Sequence, residues 1–333
     1  MVYAIIVTYN PNISLLQRQY DALQSQVDAL VYVENGSNNK EEIITFQRNI
    51  ERNSSNVFFI YNKKNLGLGA AQNQGIDFAL YRSIDHVVFF DQDSTPEDGF
   101  IDKMLSEEST LLDEGKKVAV LAPTAIEECS NIVCPITVTE NLFSRKQIRP
   151  TDGNYSVLWV MASGSLFRTE VFRTIGGMNP HFFVDVIDRE WGYRAKAKGY
   201  EVFVTAQTFL LHNVGDFSKS VGGRTMHIHQ PYRLYYNTRN NIVQIYNPAY
   251  KGYKFVILTR TFARILVRIF LHAILVKDGW KYVKYGFQGI MDGFMRKLGP
   301  YGHTYQYNFG KDDWYVSGVI QKVSDKINYP SKK

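Results

Sequence analysis

The sequence predicts an α/β protein with a mostly parallel sheet, because short apolar runs alternate with amphipathic segments through its first two-thirds. The apolar runs at residues 2–7, 30–33, 57–60, 87–90 and 118–121 have the length of buried strands, and helical patterns lie between them. Strands that alternate with helices in this way form βαβ units. With 333 residues, 45% of them hydrophobic, the chain can hold one large α/β domain and an additional region.

The next part of the chain has a less regular pattern. A loop-like stretch from about 124 to 155 is expected to interrupt the alternation. The sequence then predicts a strand at 157–161, a helix near 188–198 and a strand at 201–205, and a further apolar strand at 208–211 precedes His212.

Beyond about residue 215, strands are expected to give way to helices at 255–276 and 280–298. A basic stripe recurs every four residues in the first of them and consists of Arg260, Arg264, Arg268 and His272. Three arginines argue against a membrane span. The pattern fits a helix lying in a membrane interface, or a bundle helix whose arginines reach solvent. Aromatic and basic residues in 280–298 favour the membrane surface.

Composition limits the classes of binding partner and indicates the redox compartment. The net charge of +6 favours anionic partners, among which are nucleic acid, nucleotide sugars and acidic lipid surfaces. The spacing of Cys129 and Cys134 fits neither a redox motif nor zinc ligands, so a reducing cytosol is expected. The chain begins with a strand pattern, from which no signal peptide is expected, and it has no long uncharged apolar stretch.

Two aspartates follow the strand pattern at 87–90, in the run Asp91-Gln92-Asp93. Ligands of doubly wound α/β proteins bind beyond the carboxyl ends of the parallel strands. A short Asp-x-Asp leaves positions on Mg²⁺ open for phosphate oxygens, which suits a nucleotide diphosphate. The alternative is a polar turn followed by a helix N-cap, since Ser94, Thr95 and Pro96 come next.

The turns after the first three strands are rich in polar residues and glycine. Glu34 and Asn35 offer the carboxylate and amide groups that can pair with a pyrimidine base. Gly67 and Gly69 permit close backbone approach to a ligand, and a helix N-terminus near Ala70 favours anions. The alternative for each turn taken singly is ordinary turn chemistry.

The order of these motifs resembles the family 2 glycosyltransferases, inverting enzymes of the GT-A fold, and within them the bacterial rhamnosyltransferases. The resemblance covers most of the chain and rests on segments 4–10, 33–37, 65–75, 90–94, 161–165, 183–194 and 232–240. Glu34 stands where the family usually has Asp. The resemblance implies a mixed sheet flanked by helices over 1–215, with a nucleotide-binding half (about 1–123) and an acceptor half (about 124–215). A helical, membrane-associated region is implied for 216–333.

The resemblance also assigns roles on the donor side. The residues it implies for nucleotide and donor binding are Thr8, Tyr9, Asn10, Glu34, Asn35, Gly36, Asn65, Gly67, Asp91 and Gln92. It implies that Asp91 faces the sugar or phosphate of the donor and that Asp93 ligates Mg²⁺ or Mn²⁺. His212 stands where the family often has a histidine that completes the metal site, and imidazole is a suitable ligand.

An inverting transfer needs a carboxylate that takes the proton of the acceptor hydroxyl. The resemblance places Asp188 at this position, with Asp185 as the second candidate, whereas acidic residues can also begin a helix for dipole reasons. The residues expected near the acceptor or a diphosphate are Gly164, Ser165, Glu190, Trp191, Arg194, Arg233 and Arg239. Arg233 or Arg239 could clamp a diphosphate, or equally attach the C-terminal helices to the domain.

The expected function is transfer of L-rhamnose from dTDP-L-rhamnose to a sugar on a polyprenyl diphosphate carrier, for surface polysaccharide. The resemblance implies work on the cytoplasmic face of the bacterial cell membrane, without nucleic acid as a partner. A UDP-galactofuranose-type transferase is the alternative within the class. A non-catalytic protein that binds a membrane surface or nucleic acid is the alternative outside it, although carboxylates at the sheet edge would repel phosphate without a metal.

Overall fold

The computed structural model describes residues 1–52, 54–127, 131–139, 145–212, 217–221, 224–228, 230–247, 254–302 and 305–306. The strands are β1 (Val2–Thr8), β2 (Ala29–Glu34), β3 (Val57–Tyr61), β4 (His86–Asp91), β5 (Thr95–Pro96), β6 (Val118–Glu127), β7 (Ile132–Val133), β8 (Ile136–Thr139), β9 (Arg145–Ile148), β10 (Asn154–Val157), β11 (Leu166–Arg168), β12 (Glu201–His212), β13 (Phe217–Val221), β14 (Arg224–Ile228), β15 (Lys297–Leu298) and β16 (Tyr305–Gln306).

The helices are α1 (Ile13–Leu23), α2 (Lys40–Glu51), α3 (Leu68–Tyr81), α4 (Phe100–Asp113), α5 (Thr169–Ile175), α6 (Ile187–Ala197), α7 (Pro231–Val243), α8 (Lys254–Leu275) and α9 (Gly279–Phe294). Short 3₁₀ helices lie at Pro180–Phe182 and Gln244–Tyr246.

A ten-stranded mixed sheet forms the centre of the molecule. Its main path runs β10-β12-β6-β11-β4-β1-β2-β3, with β5 and β7 attached at its side. The strands β4, β1, β2 and β3 are parallel neighbours, and β11 lies antiparallel between β4 and β6. The mixed α/β architecture predicted from the sequence is therefore confirmed.

Alternation along the strands creates two hydrophobic layers, one on each face of the sheet. On β1, Ala4 and Ile6 pack with Leu16 of α1, whereas Ile5 packs on the other face with Ala71 and Phe78 of α3. Because both faces are covered, the central strands are apolar at nearly every position, as parallel sheets require.

The C-terminal helices form a third cluster, in which the apolar faces of α7, α8 and α9 meet. Leu234, Ile265 and Ile269 are buried there with Tyr282 and Ile290. At Gly289, a Cβ would lie 2.7 Å from the carbonyl oxygen of Tyr235, so only glycine permits this approach of α9 to α7. No helix in the described part of the chain is both long and apolar enough to cross a bilayer.

Most predicted elements are confirmed. They include the five strands predicted first, which are β1, β2, β3, β4 and β6, the strand at 201–205, and the helices near 188–198, 255–276 and 280–298. The strand predicted at 157–161 is wrong beyond Val157, where β10 ends and the chain leaves the sheet. The expected loop at 124–155 holds the hairpin β8–β9, and the hairpin β13–β14 follows residue 215. Such short, polar ladders depend on pairing with their partner strand, which local hydrophobicity does not reveal.

Candidate active site

Three polar turns meet at one edge of the sheet, because β1, β2 and β4 end in register. Val7 lies beside Asp91, and Thr8 lies beside Glu34. The carboxyl ends of these parallel strands therefore bring the residues that follow them together, as predicted. This edge is the position at which a doubly wound fold binds its ligand.

The turn after β4 is held by two side chains from other elements. The backbone N–H of Asp91 donates to Ser163 Oγ (3.0 Å), and Ser163 Oγ also bonds Ser94 Oγ (3.0 Å). From α1, Gln19 Nε2 donates to the carbonyl oxygens of Asp91 and Ser94 at 2.6 Å each. These contacts occupy backbone groups and hydroxyls, so they fix the turn without using the carboxylate of Asp91.

The turn after β1 is tied to its two neighbours. The backbone N–H of Tyr9 donates to Gln92 Oε1 (2.8 Å), and Gln92 Nε2 donates to the Tyr9 carbonyl oxygen (3.3 Å). Asn10, at φ 48°, receives the N–H of Asn38 on its Oδ1 (2.8 Å) and donates its own N–H to Ser37 Oγ (2.9 Å). The ring of Tyr9 stays 43% exposed above this edge.

The predicted base-binding residues are also engaged in the turn itself. Buried Glu34 accepts the N–H of Ser37 on Oε1 (2.5 Å), and the amide of Asn35 bonds Asn62, Asn65 and Leu66. A Cβ on Gly36, at φ +81°, would lie 2.3 Å from the backbone of Lys64.

The expectation that Gly67 and Gly69 allow close approach of a ligand needs correction. A Cβ on Gly67 would lie 2.7 Å from the carbonyl oxygen of Phe183, and one on Gly69 would lie 2.5 Å from that of Asn179. Asn65 Oδ1 accepts the N–H of Gly67 (2.8 Å). The two glycines therefore allow close approach of the backbone at Asn179 and Phe183, rather than of a ligand, and this segment packs against the third turn.

Asp188, at the start of α6, is close enough to Asp91 for their charges to interact. Its Oδ1 is enclosed and has no hydrogen-bond partner within the described ranges. A small apolar cavity of about 10 Å³, lined by Val120 and Phe167 among others, adjoins it. Burial, with a smaller contribution from the charge of Asp91, raises the pKa of Asp188 to about 7, although the Ala162 N–H donates to it. A carboxyl of this kind is suited to proton transfer near neutral pH.

Asp185, the second candidate base, is ion-paired. Arg233 Nη2 lies 2.5 Å from its Oδ1 and Arg233 Nε lies 3.4 Å from its Oδ2. Asn240 Nδ2 donates to the Asp185 carbonyl oxygen (2.9 Å) at a backbone with φ +63°. This pairing occupies both carboxylate oxygens of Asp185, whereas Oδ1 of Asp188 has no hydrogen-bond partner among the described residues, so the geometry favours Asp188 as the base.

Three residues expected near the acceptor belong to the interior. Glu190 and Arg194 are paired through two hydrogen bonds of 2.8 and 2.9 Å, and Arg194 also donates to the carbonyl oxygens of Ile175 and Gly177. Trp191 is 2% exposed, and its Nε1 donates to Gly176. The expectation of acceptor contact is therefore wrong for all three. The reason is that i, i+4 spacing on α6 places the pair on the helix face packed against α5.

Arg239 also has an internal role. Its guanidinium is fully buried and donates to the carbonyl oxygens of Phe182 (3.0 Å) and Gly299 (2.6 Å), while its Nε donates to Asn240 (3.0 Å). It therefore cannot clamp a diphosphate, and it attaches α7 to the 3₁₀ turn before α6, as the alternative prediction held. We call Glu190, Arg194, Arg239 and Asn240 the junction.

Gly164 and Ser165 form a buried turn rather than an exposed acceptor surface. Gly164 has φ +75°, and its N–H donates to the Phe89 carbonyl oxygen (2.7 Å). Ser165 is 0% exposed, and its Oγ donates to Met161. This turn places the preceding residue, Ser163, within hydrogen-bond distance of the Asp91 backbone.

The proposed metal ligands are placed only in part. Asp91 and Asp93 lie at the same turn, and both are half-buried. The backbone of His212 ends β12, but its side chain lies outside the described residues. No group of three metal-ligating side chains is found in the part of the chain that the structure describes. We call Asp91, Asp93 and Asp188 the acidic edge.

Sequence reasoning missed Gln19, Ser163 and Phe183. A signal existed for Gln19, which lies on the otherwise apolar face of α1 formed by Leu16, Tyr20 and Leu23. A polar residue at such a position needs buried partners. Ser163 and Phe183 had no comparable signal, since their contacts depend on how distant segments pack.

Comparison with solved structures identifies the fold. The fold is similar to that of GalNAc-T7 solved with UDP, GalNAc and Mn²⁺, with a TM-score of 0.59 and 11% identity. That match covers 100% of this chain and 59% of the GalNAc-T7 chain. S. aureus TarS 1–349 has a TM-score of 0.53 and 15% identity, and the match covers 87% of this chain and 80% of TarS. These likenesses confirm the predicted GT-A fold.

Sequence comparison gives the family. The model named Glycosyl transferase family 2 matches residues 3–176. The chain is also 31% identical over 244 residues to a dTDP-rhamnosyl transferase, RfbF, of Shigella flexneri, which covers 72% of this chain and 78% of that protein. The chain belongs to glycosyltransferase family 2. It is a glycosyltransferase, so the alternative of a non-catalytic binding protein is rejected.

Proposed function

We propose that the chain transfers L-rhamnose from dTDP-L-rhamnose to a saccharide on a polyprenyl diphosphate carrier, with inversion, during cell-surface polysaccharide assembly. The similarity to a dTDP-rhamnosyl transferase over most of the chain supports the donor. The observation that carries the mechanism is the nearness of Asp188 to Asp91 at the ligand edge of the sheet, in a setting that raises the pKa of Asp188 to about 7.

Asp188 is the base in this proposal. Its carboxylate takes the proton of the acceptor hydroxyl as that oxygen attacks the anomeric carbon, and dTDP departs from the opposite face. The apolar wall beside Asp188 keeps the carboxyl basic enough for this transfer. The turns after β1 and β2 hold the nucleotide, with the exposed ring of Tyr9 placed to stack on the base.

Asp91 and Asp93 are the residues that would hold Mg²⁺ or Mn²⁺. The donor set fits a hard divalent ion, since both side chains offer carboxylate oxygens and neither is enclosed. The negative charge of Asp91 also disfavours ionisation of Asp188, which indicates that the acidic edge suits a cation. Such an ion supplies electrostatic stabilisation to the departing diphosphate. His212 remains a proposed third ligand.

The outer surfaces of α8 and α9 support attachment to the cytoplasmic face of a bacterial membrane. Large apolar side chains are exposed there, namely Leu266, Val267, Phe270, Ile274, Trp280, Phe287, Met291 and Phe294, and Met295 follows directly after α9. Exposed basic residues accompany them, namely Arg264, Lys277 and Lys284. An apolar surface with basic residues matches the interface of a membrane that contains anionic lipid.

Asp188→Asn tests the base. Because Asn cannot accept the proton, kcat for rhamnose transfer should fall by about 10²–10⁴-fold. Calorimetry should show that dTDP still binds in the presence of Mg²⁺. Asp185→Asn is the matched control, and a larger loss there than in Asp188→Asn would exchange their roles. Near-normal turnover in Asp188→Asn would remove it as the base.

Donor, metal and membrane have separate tests. Transfer from UDP-galactofuranose but not from dTDP-L-rhamnose would contradict the proposed donor.

The metal is tested by chelation, which should stop transfer, and by Asp93→Ala, which should weaken the Mg²⁺-dependent part of donor binding. Full activity in the presence of chelator would contradict a role for the metal. The double variant Phe270→Gln/Trp280→Gln should float less with phosphatidylglycerol vesicles, while Tyr81→Gln, which removes an exposed aromatic on α3, should not. Unchanged flotation of the double variant would contradict the membrane surface.

A further inference from the structure

A second cavity, which is polar, lies between Asp185 and the C-terminal helices α7, α8 and α9. It has a volume of about 60 Å³, and its lining includes Asp185, Arg233, Asn237, Arg268 and His272. One buried water needs roughly 10–15 Å³ on the same measure, so the cavity has room for several waters or for a small polar group. We call it the arginine cavity.

Its charge is positive. The carboxylate of Asp185 pairs with Arg233, whereas Arg268 donates from Nη1 to the neutral amide oxygen of Asn237 at 3.2 Å. A guanidinium has five N–H donors, so this contact leaves Arg268 with further donor capacity. Burial lowers the pKa of Arg268 most of all; the charge of Asp185 opposes this shift, and repulsion by the charges of Arg233 and Arg189 adds to it. An anion in the cavity would relieve this repulsion.

The basic stripe predicted along α8 therefore does not face one environment. Arg264 is exposed, whereas one turn later Arg268 turns toward α7. His272 is 2% exposed, and its Nδ1 donates to the Arg268 carbonyl oxygen (2.7 Å), while its ring packs against Tyr282 at 4.8 Å. The outer face of the same helix carries Phe270 and Ile274, which are 63% and 64% exposed.

We propose that the arginine cavity binds the diphosphate that joins the acceptor sugar to its lipid carrier, an inference that rests on the proposed function. Asp185 lines the cavity and precedes the base Asp188 by three residues, so a short segment of chain connects the cavity with the proposed base. The exposed apolar face of α8 lies on the other side of the helix, where a lipid chain would leave. Arg233 and Arg268 supply the planar donors that suit phosphate oxygens.

The first test measures binding of inorganic pyrophosphate to the full chain by calorimetry, in a chelating buffer without divalent ions. Arg268→Gln should weaken binding about tenfold, because it removes a charge-assisted contact. Arg264→Gln is the matched control, with the same change one turn earlier on an exposed position, and it should leave the affinity unchanged. Equal affinities for wild type and Arg268→Gln, or equal losses in the two variants, would overturn the proposal.

A second variant keeps the test independent of folding at Arg268. Gln230 lines the same cavity and is exposed, so Gln230→Glu adds a negative charge without disturbing a packed position. Pyrophosphate binding should weaken in this variant, with the melting temperature unchanged. Unweakened binding by a folded Gln230→Glu would count against the cavity as the site.

The source of the diphosphate is tested with phosphatidylcholine vesicles that carry either farnesyl diphosphate or phosphatidic acid at equal phosphate. Arg268→Gln should reduce flotation with the first and not with the second. An equal reduction with both kinds of vesicle would contradict binding of a carrier diphosphate and would indicate that the cavity binds lipid phosphates in general. Weaker Mg²⁺-dependent binding of dTDP by Arg268→Gln would indicate that the cavity binds the donor instead. Because pyrophosphate binding needs no sugar transfer, failure of the rhamnose assignment alone would leave the loss in Arg268→Gln intact.

Discussion

The acidic edge and the junction differ in how their carboxylates are paired, although both include a residue from the first turn of α6. At the junction, Glu190 is paired with Arg194 through two hydrogen bonds, and the guanidinium is completed by two backbone carbonyls. At the acidic edge, one oxygen of Asp188 is enclosed without a hydrogen-bond partner among the described residues. The largest charge effect on Asp188 comes from Asp91, with smaller effects from Asp185 and Arg189.

The difference separates groups that hold the fold from groups kept ready for a reaction. A buried carboxylate with all its partners stabilises one arrangement and has no capacity left for a ligand. A carboxylate that has one enclosed oxygen without a hydrogen bond and that lies near another carboxylate is unfavourable until a proton or cation arrives, and such groups concentrate at functional sites. Substitutions in the two regions should therefore have opposite consequences for stability and for chemistry.

The largest effect on stability is expected for Glu190→Gln. The substitution leaves the buried Arg194 guanidinium without its counter-charge, and breaking a buried pair in this way costs about 3–5 kcal/mol. The measurement is the free energy of unfolding in urea. The control is Glu170→Gln, since Glu170 is 67% exposed in its pair with Arg168, and it should cost less than about 1 kcal/mol. Equal effects would show that the junction pair contributes no more than a surface pair.

Arg239→Gln should destabilise the protein by about 3 kcal/mol, because the carbonyl groups of Phe182 and Gly299 lose a charged donor. Urea denaturation measures the change, and Arg264→Gln on the exposed face of α8 serves as the control for loss of one positive charge. If Arg239→Gln kept full stability while donor or acceptor affinity fell, the predicted diphosphate clamp would return.

Local signals in the sequence predicted the acidic edge better than the junction. Asp91 follows the four-residue apolar run 87–90, and the ends of parallel strands meet, so its location was determined by the strand pattern alone. Gln92, which follows Asp91 directly, was placed there by the same reasoning, and Asn10 was assigned to the donor side by the resemblance. By contrast, Arg194, Arg239 and Arg268 lie on helices, where the face that packs depends on segments far away in sequence. Their internal roles required the tertiary structure.

Asp77 on α3 extends the comparison to a second buried carboxyl without full pairing. Burial raises the pKa of Asp77 to about 8, and its Oδ2 has no hydrogen-bond partner in the ranges described. Between pH 4 and 8, the carboxyl ionises in the unfolded chain but stays neutral in the folded one, so stability falls as pH rises. Asp77→Asn should therefore gain about 2 kcal/mol at pH 8, less than the full linkage because Asn remains a buried polar group.

Urea denaturation at pH 4 and pH 8 tests this expectation. The gain of Asp77→Asn should be small at pH 4, which lies near the ordinary pKa of an aspartate, because ionisation in the unfolded chain then contributes less than about 1 kcal/mol. A gain of the same size at both values would mean that packing, rather than ionisation of Asp77, distinguishes the variant. No gain at pH 8 would mean that Asp77 has a partner in solution and belongs with the paired carboxylates of the junction.

The smallest effect is expected for Gln92→Ala, and it bears on how rigid the acidic edge is. The Gln92 amide accepts the Tyr9 N–H at 2.8 Å and donates to the Tyr9 carbonyl oxygen, so its loss should cost about 1 kcal/mol of stability. The control is Gln47→Ala, which removes exposed hydrogen bonds with Glu51 on α2 and with Tyr61 on β3 and leaves the turn after β1 intact. Because the lost bonds hold the turn after β1, dTDP affinity in the presence of Mg²⁺ should fall in Gln92→Ala and not in Gln47→Ala. Unchanged affinity would mean that Tyr9 reaches the nucleotide without this support, and that the acidic edge is organised by Ser163 and Gln19 alone.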